Sequence, residues 1–460
     1  MNVSGTPQEI SPQAHRGKSD TGPQPLGAQD KSLEANIPIP ILPRRKWWWP
    51  FPAPPTEEIG HPPDGGIIAW LQVLAGHLTC FITWGLITSF GIFQSTYEEM
   101  LGESASTVSW IGTMQTFTLL FVGTVSGRLS DAGLVHEAVF VGTLFIAFGM
   151  FMTSLATQYY QLFLAQGLCI GLGMGILYMP GLSVPSSYFK ANKSLAVSII
   201  ASGAGSGGLV YPAMVQQLLP RVGFGWTIRY MAFVTLFVAV LINVLLRVRV
   251  PARKSGTLAD FRAFKELPYV LFIVGFFFIY WAVYFAFYYI DLYGHTYANF
   301  TSLDSIDILL ITNALGIPGR IVPGFIAARY FGPLNTAIPT AIAVSIVLYG
   351  WIAVAHAHGP LYAFAAVYGF VGSAIQSLFA ASLAALTTDL SQLGTRMGMV
   401  FSVVAFACLT GSPIAGAIID ANNGSYLGAQ IWAGTCLLLG AIVLTAARIS
   451  RTGWVLRIKV

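Results

Sequence analysis

Charged residues are scarce in this sequence. Lys, Arg, Asp and Glu make up 9% of its 460 residues, whereas a soluble domain contains about 25%. Apolar residues reach 55%, and the mean hydropathy is +0.67. Because a chain of this length cannot bury so much apolar surface in one soluble core, soluble enzymes and nucleic-acid-binding proteins are excluded.

Other features are also missing. The four cysteines lie inside apolar stretches without the spacing of metal ligands, so we expect no disulfide and no metal site. The sequence has no Walker A motif, which excludes direct drive by ATP, and we expect no cofactor. No cleavable leader precedes the first long apolar stretch, so that stretch is expected to direct insertion.

Long apolar stretches fill the sequence from residue 67 onwards. Each has the length of about 20 residues that a helix needs to cross a bilayer. The lipid bilayer is therefore an obligatory partner, and the predicted fold class is an all-α membrane protein with twelve transmembrane helices in two six-helix halves. The predicted spans are 67–95, 108–127, 137–156, 160–187, 194–218, 227–246, 268–291, 305–328, 333–354, 360–388, 396–419 and 427–447.

The remaining segments divide the chain. Residues 1–65 are rich in Pro, Gly, Gln and Ser and are predicted to form a disordered cytoplasmic tail. The first six-helix half covers 66–246, a basic cytoplasmic linker covers 247–267, and the second half covers 268–447. Residues 448–460 form a short cytoplasmic tail. Two halves joined by a linker are the layout of the major facilitator superfamily, in which a central cavity alternates between the two sides.

The distribution of Lys and Arg predicts the orientation. Of the 24 such residues, 21 fall in segments on the side of the two termini. The positive-inside rule therefore places both termini in the cytoplasm. The sequons at Asn299 and Asn423 then lie on the other side, where they could be glycosylated. We expect the plasma membrane, with a vacuolar or other internal membrane as the alternative.

Two motifs open predicted spans 1 and 5. Asp64 precedes the first helix, where its carboxylate could cap free N–H groups, and two glycines beside it let the backbone bend. This Asp-Gly-Gly-x-x-x-Trp pattern, and a Tyr-Phe-Lys sequence before span 5, resemble the two signatures of the monocarboxylate transporter family, in a fungal-type member. The residues concerned are Asp64, Gly65, Gly66, Trp70, Tyr188, Phe189 and Lys190.

A third motif lies between predicted spans 2 and 3. Residues 127–133 resemble a degraded form of the superfamily's loop motif. The resemblance implies that Arg128 and Asp131 help to latch the halves together in the outward-open state.

Two ionisable residues lie deep inside predicted spans, where burial of charge is costly and tends to serve function. Arg320 shares a helix face with Asn313, and its planar fork suits an anion such as a carboxylate. The alternative is an arginine tied to backbone carbonyls. His77 on span 1 could carry a coupling proton, or could simply bond to a neighbouring helix.

Aromatic and polar residues form one face on each of two predicted spans. Trp84 and Thr88 follow His77 on span 1, and Tyr284 and Tyr288 lie on span 7. Such faces suit a larger, planar or amphipathic substrate, although they also occur as plain packing.

The family resemblance extends to span 8. Arg320 aligns with the arginine that the monocarboxylate transporters carry there. Gly316 and Thr88 stand where animal members have an Asp and a Lys that take part in proton-coupled transport, so coupling stays open here.

The combined prediction is a secondary-active transporter, not an enzyme. It would move a small organic solute, either a monocarboxylate-like anion or a secondary metabolite, by alternating access. A monomeric transport unit and a small-molecule substrate are expected, with or without a coupling proton. The alternative is a non-transporting nutrient sensor on the same fold.

Overall fold

The computed structural model describes residues 63–189, 193–249, 261–297, 302–354, 358–387 and 393–454. These residues are almost entirely helical and contain no strand. Residues 1–62, Lys190, Asn299, the centre of the predicted linker and residues 455–460 lie outside them.

The first six spans precede the linker. Spans 5 and 6 form one long helix, Lys193–Leu245, which is interrupted at Gly223, where φ is +73°. The other spans are span 1 (Gly66–Ile82 and Trp84–Thr88, extended by a further helix Phe90–Leu101), span 2 (Ala105–Asp131), span 3 (Val135–Thr153) and span 4 (Tyr159–Leu162, Phe163–Ile170 and Gly171–Ser186).

The last six spans follow a short 3₁₀ helix, Phe261–Lys265. They are span 7 (Leu267–Ala282 and Phe285–Tyr297), span 8 (Ser302–Ile326 and Ala327–Phe331), span 9 (Pro333–Ile352), span 10 (His358–Leu386), span 11 (Leu393–Ala421) and span 12 (Leu427–Thr452).

The predicted fold class is confirmed. Eleven described helices are long and apolar enough to cross a membrane, and the break at Gly223 divides one of them into two spans. Several helices extend beyond the predicted bounds. Span 12, for example, ends at Thr452 rather than at residue 447. Below, the side on which span 1 begins and span 12 ends is called the terminal side, and the other the opposite side.

Spans 1 and 7 are broken rather than continuous, and neither break contains proline. In span 1, the hydroxyl of Thr83 donates to Thr79 O over 2.7 Å and that of Ser89 to Gly85 O over 2.7 Å. Such back-bonds compete with the helical ladder and bend it. In span 7, the hydroxyl of Tyr368, on span 10, donates to the carbonyl of Val283.

Spans 1 and 5 pack closely through glycine. A Cβ at Gly203 would lie 2.0 Å from His77 O, so any larger residue would force the two helices apart. Small residues serve the same purpose in membrane bundles generally, because they let backbones approach.

The two halves touch on both sides of the bundle. On the terminal side, the Thr124 hydroxyl of span 2 donates to Gly398 O of span 11 over 2.8 Å. On the opposite side, the Ser106 hydroxyl of span 2 donates to Pro413 O of span 11 over 3.0 Å. The residues at the centre of the bundle therefore lie between two layers of contacts.

Candidate substrate site

Arg320 lies at the centre of span 8 and is only 3% exposed. Its Nη1 donates to Ser373 Oγ over 3.0 Å and to Gly316 O over 3.2 Å. Among the described residues no carboxylate lies within ion-pair distance of it. The cation thus donates hydrogen bonds to one hydroxyl and one carbonyl, and no carboxylate of the described residues neutralises its charge.

Gly316 leaves room for this arrangement. A Cβ there would lie 2.9 Å from Arg320 Nη1 and 2.7 Å from Ser373 Oγ. The space that an aspartate side chain would need, one turn before the arginine, is filled by the guanidinium and by span 10.

Neutral groups surround the guanidinium. The phenols of Tyr178, Tyr280 and Tyr284 and the thiol of Cys80 lie within electrostatic range of Arg320. Spans 1, 4 and 7 thus contribute to one cluster around span 8. Because such a buried site has a low local dielectric, a positive charge within it attracts an anion more strongly than it would in water.

An aromatic pair joins the halves next to this cluster. Trp84 of span 1 stacks on Tyr284 of span 7, with ring centroids 6.3 Å apart and planes 11° from parallel. Tyr178 of span 4 meets the Trp84 ring edge-on at 5.7 Å. The Tyr284 hydroxyl donates to Gln376 Oε1 over 3.5 Å, so span 10 completes this aromatic wall.

Asn313 and Thr88 meet towards the opposite side. A Cβ at Gly208 of span 5 would lie 2.3 Å from Asn313 Oδ1 and 2.7 Å from Thr88 Oγ1. The Thr88 hydroxyl donates to Gly85 O over 3.2 Å and to Ala204 O over 3.4 Å. Asn313 Nδ2 donates to Leu309 O over 3.1 Å, and its Oδ1 is buried with no hydrogen-bond partner.

Two residues predicted to line the site have other neighbours. His77 Nδ1 donates to Ile199 O over 2.9 Å, so the imidazole ties span 1 to span 5. The Tyr288 hydroxyl lies 3.3 Å from Thr116 Oγ1, and its ring packs on Phe90 at 4.9 Å. Tyr288 is fully buried in the contact between spans 7 and 2.

The two motifs that open spans 1 and 5 contact each other on the terminal side. The N–H of Asp64 donates to Tyr188 O over 3.1 Å, and the Trp70 ring meets Phe189 edge-on at 5.3 Å. The Tyr188 hydroxyl donates to Arg247 O at the end of span 6 over 2.9 Å. The start of span 1, the segment before span 5 and the end of span 6 thus form one cluster, called here the signature cluster.

The predicted capping role of Asp64 differs from the structure. The N-cap of the first helix is Gly65, which has no side chain, and no side-chain cap is formed. Gly66 follows with φ +84°, a conformation that glycine adopts without strain. The chain therefore bends at the glycines, while Asp64 contributes its backbone N–H.

The loop motif after span 2 contacts the other half. Arg128 Nη2 donates to Thr395 Oγ1 at the start of span 11 over 2.9 Å. The side chain of Asp131 lies outside the described residues. Beside Thr395, Arg396 forms a two-point ion pair with Glu266, at 2.6 and 2.8 Å. This hydrogen-bonded pair lowers the pKa of Glu266.

A carboxylate cluster lies on the opposite side. Glu98, in the helix that extends span 1, has Asp291 and Asp420 as electrostatic neighbours and accepts a hydrogen bond from Gln94 Nε2 at 2.6 Å. Burial, together with the two neighbouring charges, raises the pKa of Glu98 to about 7. Asn423 is exposed in the loop before span 12, and no metal-ligand cluster occurs in the described residues.

Sequence reasoning missed several members of the site. Ser373 and Gln376 of span 10 and Tyr178 of span 4 contact the predicted residues. The available signal was the presence of Ser373, Gln376 and Ser377 on one face of an otherwise apolar helix. The pairing of Glu266 with Arg396 was missed because the two residues are far apart in sequence.

Comparison with known proteins gives consistent matches. The family model described as Major Facilitator Superfamily matches residues 73–368. An MFS-type transporter of Gibberella zeae is 44% identical over 86% of this chain and 90% of its own length. In Emericella nidulans, the MFS-type transporter dbaD is 33% identical over 84% of this chain and 87% of its own length. The aspyridones efflux protein apdF of the same organism is 32% identical over 87% of this chain and 81% of its own length.

Proposed function

We propose that this protein carries an organic anion that binds at Arg320. The chain belongs to the Major Facilitator Superfamily and is a multi-pass membrane transporter rather than an enzyme. The observation that carries this proposal is the buried guanidinium without a carboxylate partner among the described residues. A buried cation is costly unless an opposite charge compensates it. A bound anion would supply that charge during transport.

The surroundings favour a cargo larger than a short monocarboxylate. The Trp84–Tyr284 pair and Tyr178 present aromatic surface next to the cation, which suits a conjugated acid. The family signatures around Asp64 and Tyr188 support a monocarboxylate-transporter-like chain. A relative named as an efflux protein for aspyridones supports export of a secondary metabolite as the direction of transport.

The orientation and mechanism follow the same proposal. Both termini would be cytoplasmic, because Lys and Arg concentrate on the terminal side. The Arg128–Thr395 bond would then form the cytoplasmic closure and the Ser106–Pro413 bond the outer one. We further propose that one chain is the transport unit, that it acts in the plasma membrane, and that a proton is the coupling ion. Glu98, with its pKa raised to about 7, supports the last point.

Transport into proteoliposomes tests the anion proposal. The panel comprises aromatic and aliphatic carboxylic acids and the matching neutral amides, with and without a pH gradient. We expect transport of one or more acids but not of their amides. Arg320→Lys should weaken affinity because it loses the planar fork, and Arg320→Gln should nearly abolish transport. The matched control is Arg221→Gln, because Arg221 is exposed and lies two residues before the break at Gly223.

The result that counts against the proposal is normal affinity for an acid in folded Arg320→Gln protein. It would leave Arg320 as a structural residue and favour neutral cargo.

A further inference from the structure

We propose that Asn313 determines specificity within this site, by accepting a hydrogen bond from the end of the cargo that lies away from Arg320. The inference rests on the proposed function, since it concerns the same cargo. It defines a chemical class: an elongated acid with its anionic group at one end, a planar or apolar middle, and a hydroxyl or N–H donor at the other end.

The amide of Asn313 has one unused acceptor. The residue is 1% exposed. Its Nδ2 donates to Leu309 O, which fixes the orientation of the amide, because an amide oxygen cannot donate to a carbonyl. Its Oδ1 has no hydrogen-bond partner. A buried acceptor without a partner costs folding free energy, and such exceptions in folded proteins call for a specific explanation.

The packing around Oδ1 explains how a ligand would reach it. Gly208 and Thr88, which lie against the amide, belong to the first half, whereas Asn313 belongs to the second. The Thr88 hydroxyl donates to Gly85 O and Ala204 O, and so it does not satisfy Asn313. When the halves separate, Gly208 and Thr88 withdraw and Oδ1 faces the cavity.

The distance between the two polar ends sets the length of the cargo. Asn313 and Arg320 are seven residues apart on one helix, a separation of about 10 Å along the axis at about 1.5 Å per residue. Trp84 stacks on Tyr284 in the wall next to this column, with Cys80 near the arginine and Thr88 near the asparagine. A short monocarboxylate would reach Arg320 but not Asn313.

Binding of three related acids to the full-length chain in lipid nanodiscs tests the inference. The probes are 2-naphthoic acid, 6-hydroxy-2-naphthoic acid and 6-methoxy-2-naphthoic acid, which share a carboxylate and a planar ring. Only the hydroxy compound carries a donor at the far end. We expect it to bind about three- to tenfold more tightly than the other two, as one additional net hydrogen bond would give.

Variants then locate the effect. Asn313→Leu should reduce the preference for the hydroxy acid over 2-naphthoic acid to less than about twofold, whatever the change in the absolute affinities. Asn243→Leu is the matched control, because Asn243 Nδ2 makes the same type of bond, to Ala239 O, on span 6. The preference should persist there. The comparison with the methoxy acid in the unaltered protein needs no variant, so it holds even if Asn313→Leu folds poorly.

Two outcomes separate this inference from the proposed function. Equal affinity for the three acids in the unaltered protein, with Arg320→Gln still weakening all of them, would overturn the role of Asn313 alone. Binding that is indifferent to Arg320→Gln would overturn the anion site, and with it this extension.

Discussion

The rings of Trp84 on span 1 and Tyr284 on span 7 are nearly parallel and offset, at a centroid distance of 6.3 Å. The two residues come from different halves, so the stack persists only while the halves are close. A planar cargo that enters between the halves can replace this contact with an equivalent one on each ring. Each ring of the pair would then contact the cargo in place of the other ring.

Replacing the indole should affect aromatic cargo selectively. Trp84→Leu keeps apolar volume but loses the ring. We expect affinity for 2-naphthoic acid to fall about two- to tenfold, since aromatic contacts contribute about 0.5–1.5 kcal/mol beyond area burial. Affinity for octanoic acid should change much less. Trp226→Leu, at an exposed tryptophan, is the control, and titration in nanodiscs is the measurement. An equal loss for both acids would argue against ring stacking.

An aspartate at position 316 should prevent anion binding at the site. In Gly316→Asp the new side chain must push the guanidinium of Arg320 aside, because Nη1 is 2.9 Å from the Cβ position, and its carboxylate can then pair with the displaced cation. The internal ion pair should displace the cargo, so we expect loss of acid binding, measured by titration. Gly350→Ala is the control, because a Cβ at Gly350 meets nothing within 4 Å. Unchanged acid binding in Gly316→Asp would show that anions bind elsewhere.

Stability should depend on pH through Glu98. Its pKa in the folded chain is raised to about 7, against about 4.3 for an unperturbed glutamate, so the folded state binds the proton more tightly. This contribution is fully present below pH 4 and is lost as pH rises through 7. We expect the melting temperature in detergent to fall between pH 5 and pH 8.

Glu98→Gln, which stays neutral, should flatten this pH profile. Glu99→Gln, at the exposed neighbouring carboxylate, should leave it unchanged. A Glu98→Gln profile as steep as that of the unaltered chain would assign the pH dependence to other groups.

The terminal-side closure should behave as a coupled pair. Arg128 donates to the Thr395 hydroxyl across the two halves, so Arg128→Ala and Thr395→Val remove the same bond. We expect each variant to cost about 1 kcal/mol of stability and the double variant to cost little more than either. The measurement is a double-mutant cycle: thermal unfolding of the unaltered protein, the two single variants and the double variant. If the two losses of stability simply add, the bond contributes nothing.

Glycan mapping tests the orientation. With both termini cytoplasmic, Asn299 and Asn423 face the lumen during synthesis, whereas the sequon at Asn192 faces the cytoplasm. We expect a mobility shift on glycosidase treatment that disappears in Asn299→Gln/Asn423→Gln protein. A glycan on Asn192 would show that the orientation is the reverse of the one predicted.

The sequence predicted the spans and the central charge because both depend on local properties. Apolar length defines a span, and Arg320 stands out because a cation inside one is rare. The breaks within spans 1 and 7 could not be predicted from local sequence. The break in span 7 depends on the Tyr368 hydroxyl, which reaches Val283 O from span 10. Nothing in the sequence around Val283 indicates it.

The partners of the predicted site residues show the same limit. The face shared by Asn313 and Arg320 follows from helical spacing, whereas the contact of Arg320 with Ser373 depends on how spans 8 and 10 pack. His77 illustrates the opposite case. Its residue type suggested either a coupling proton or a hydrogen bond to a neighbouring helix. The structure shows a hydrogen bond to Ile199 O, and sequence spacing could not identify that partner.

The signature cluster has a consequence for biosynthesis. It joins the start of the first helix to Arg247, two residues beyond the end of the sixth, through Tyr188 O and the Tyr188 hydroxyl. The second of these bonds, from the Tyr188 hydroxyl to Arg247 O, can form only after Arg247 has left the ribosome. By then the first six helices have been synthesised, whereas most of the second half has not. The cluster can therefore join the first six helices into one unit before the second half is complete. Substitutions in it should reduce the yield of inserted protein, and the molecules that do mature should transport at the normal rate.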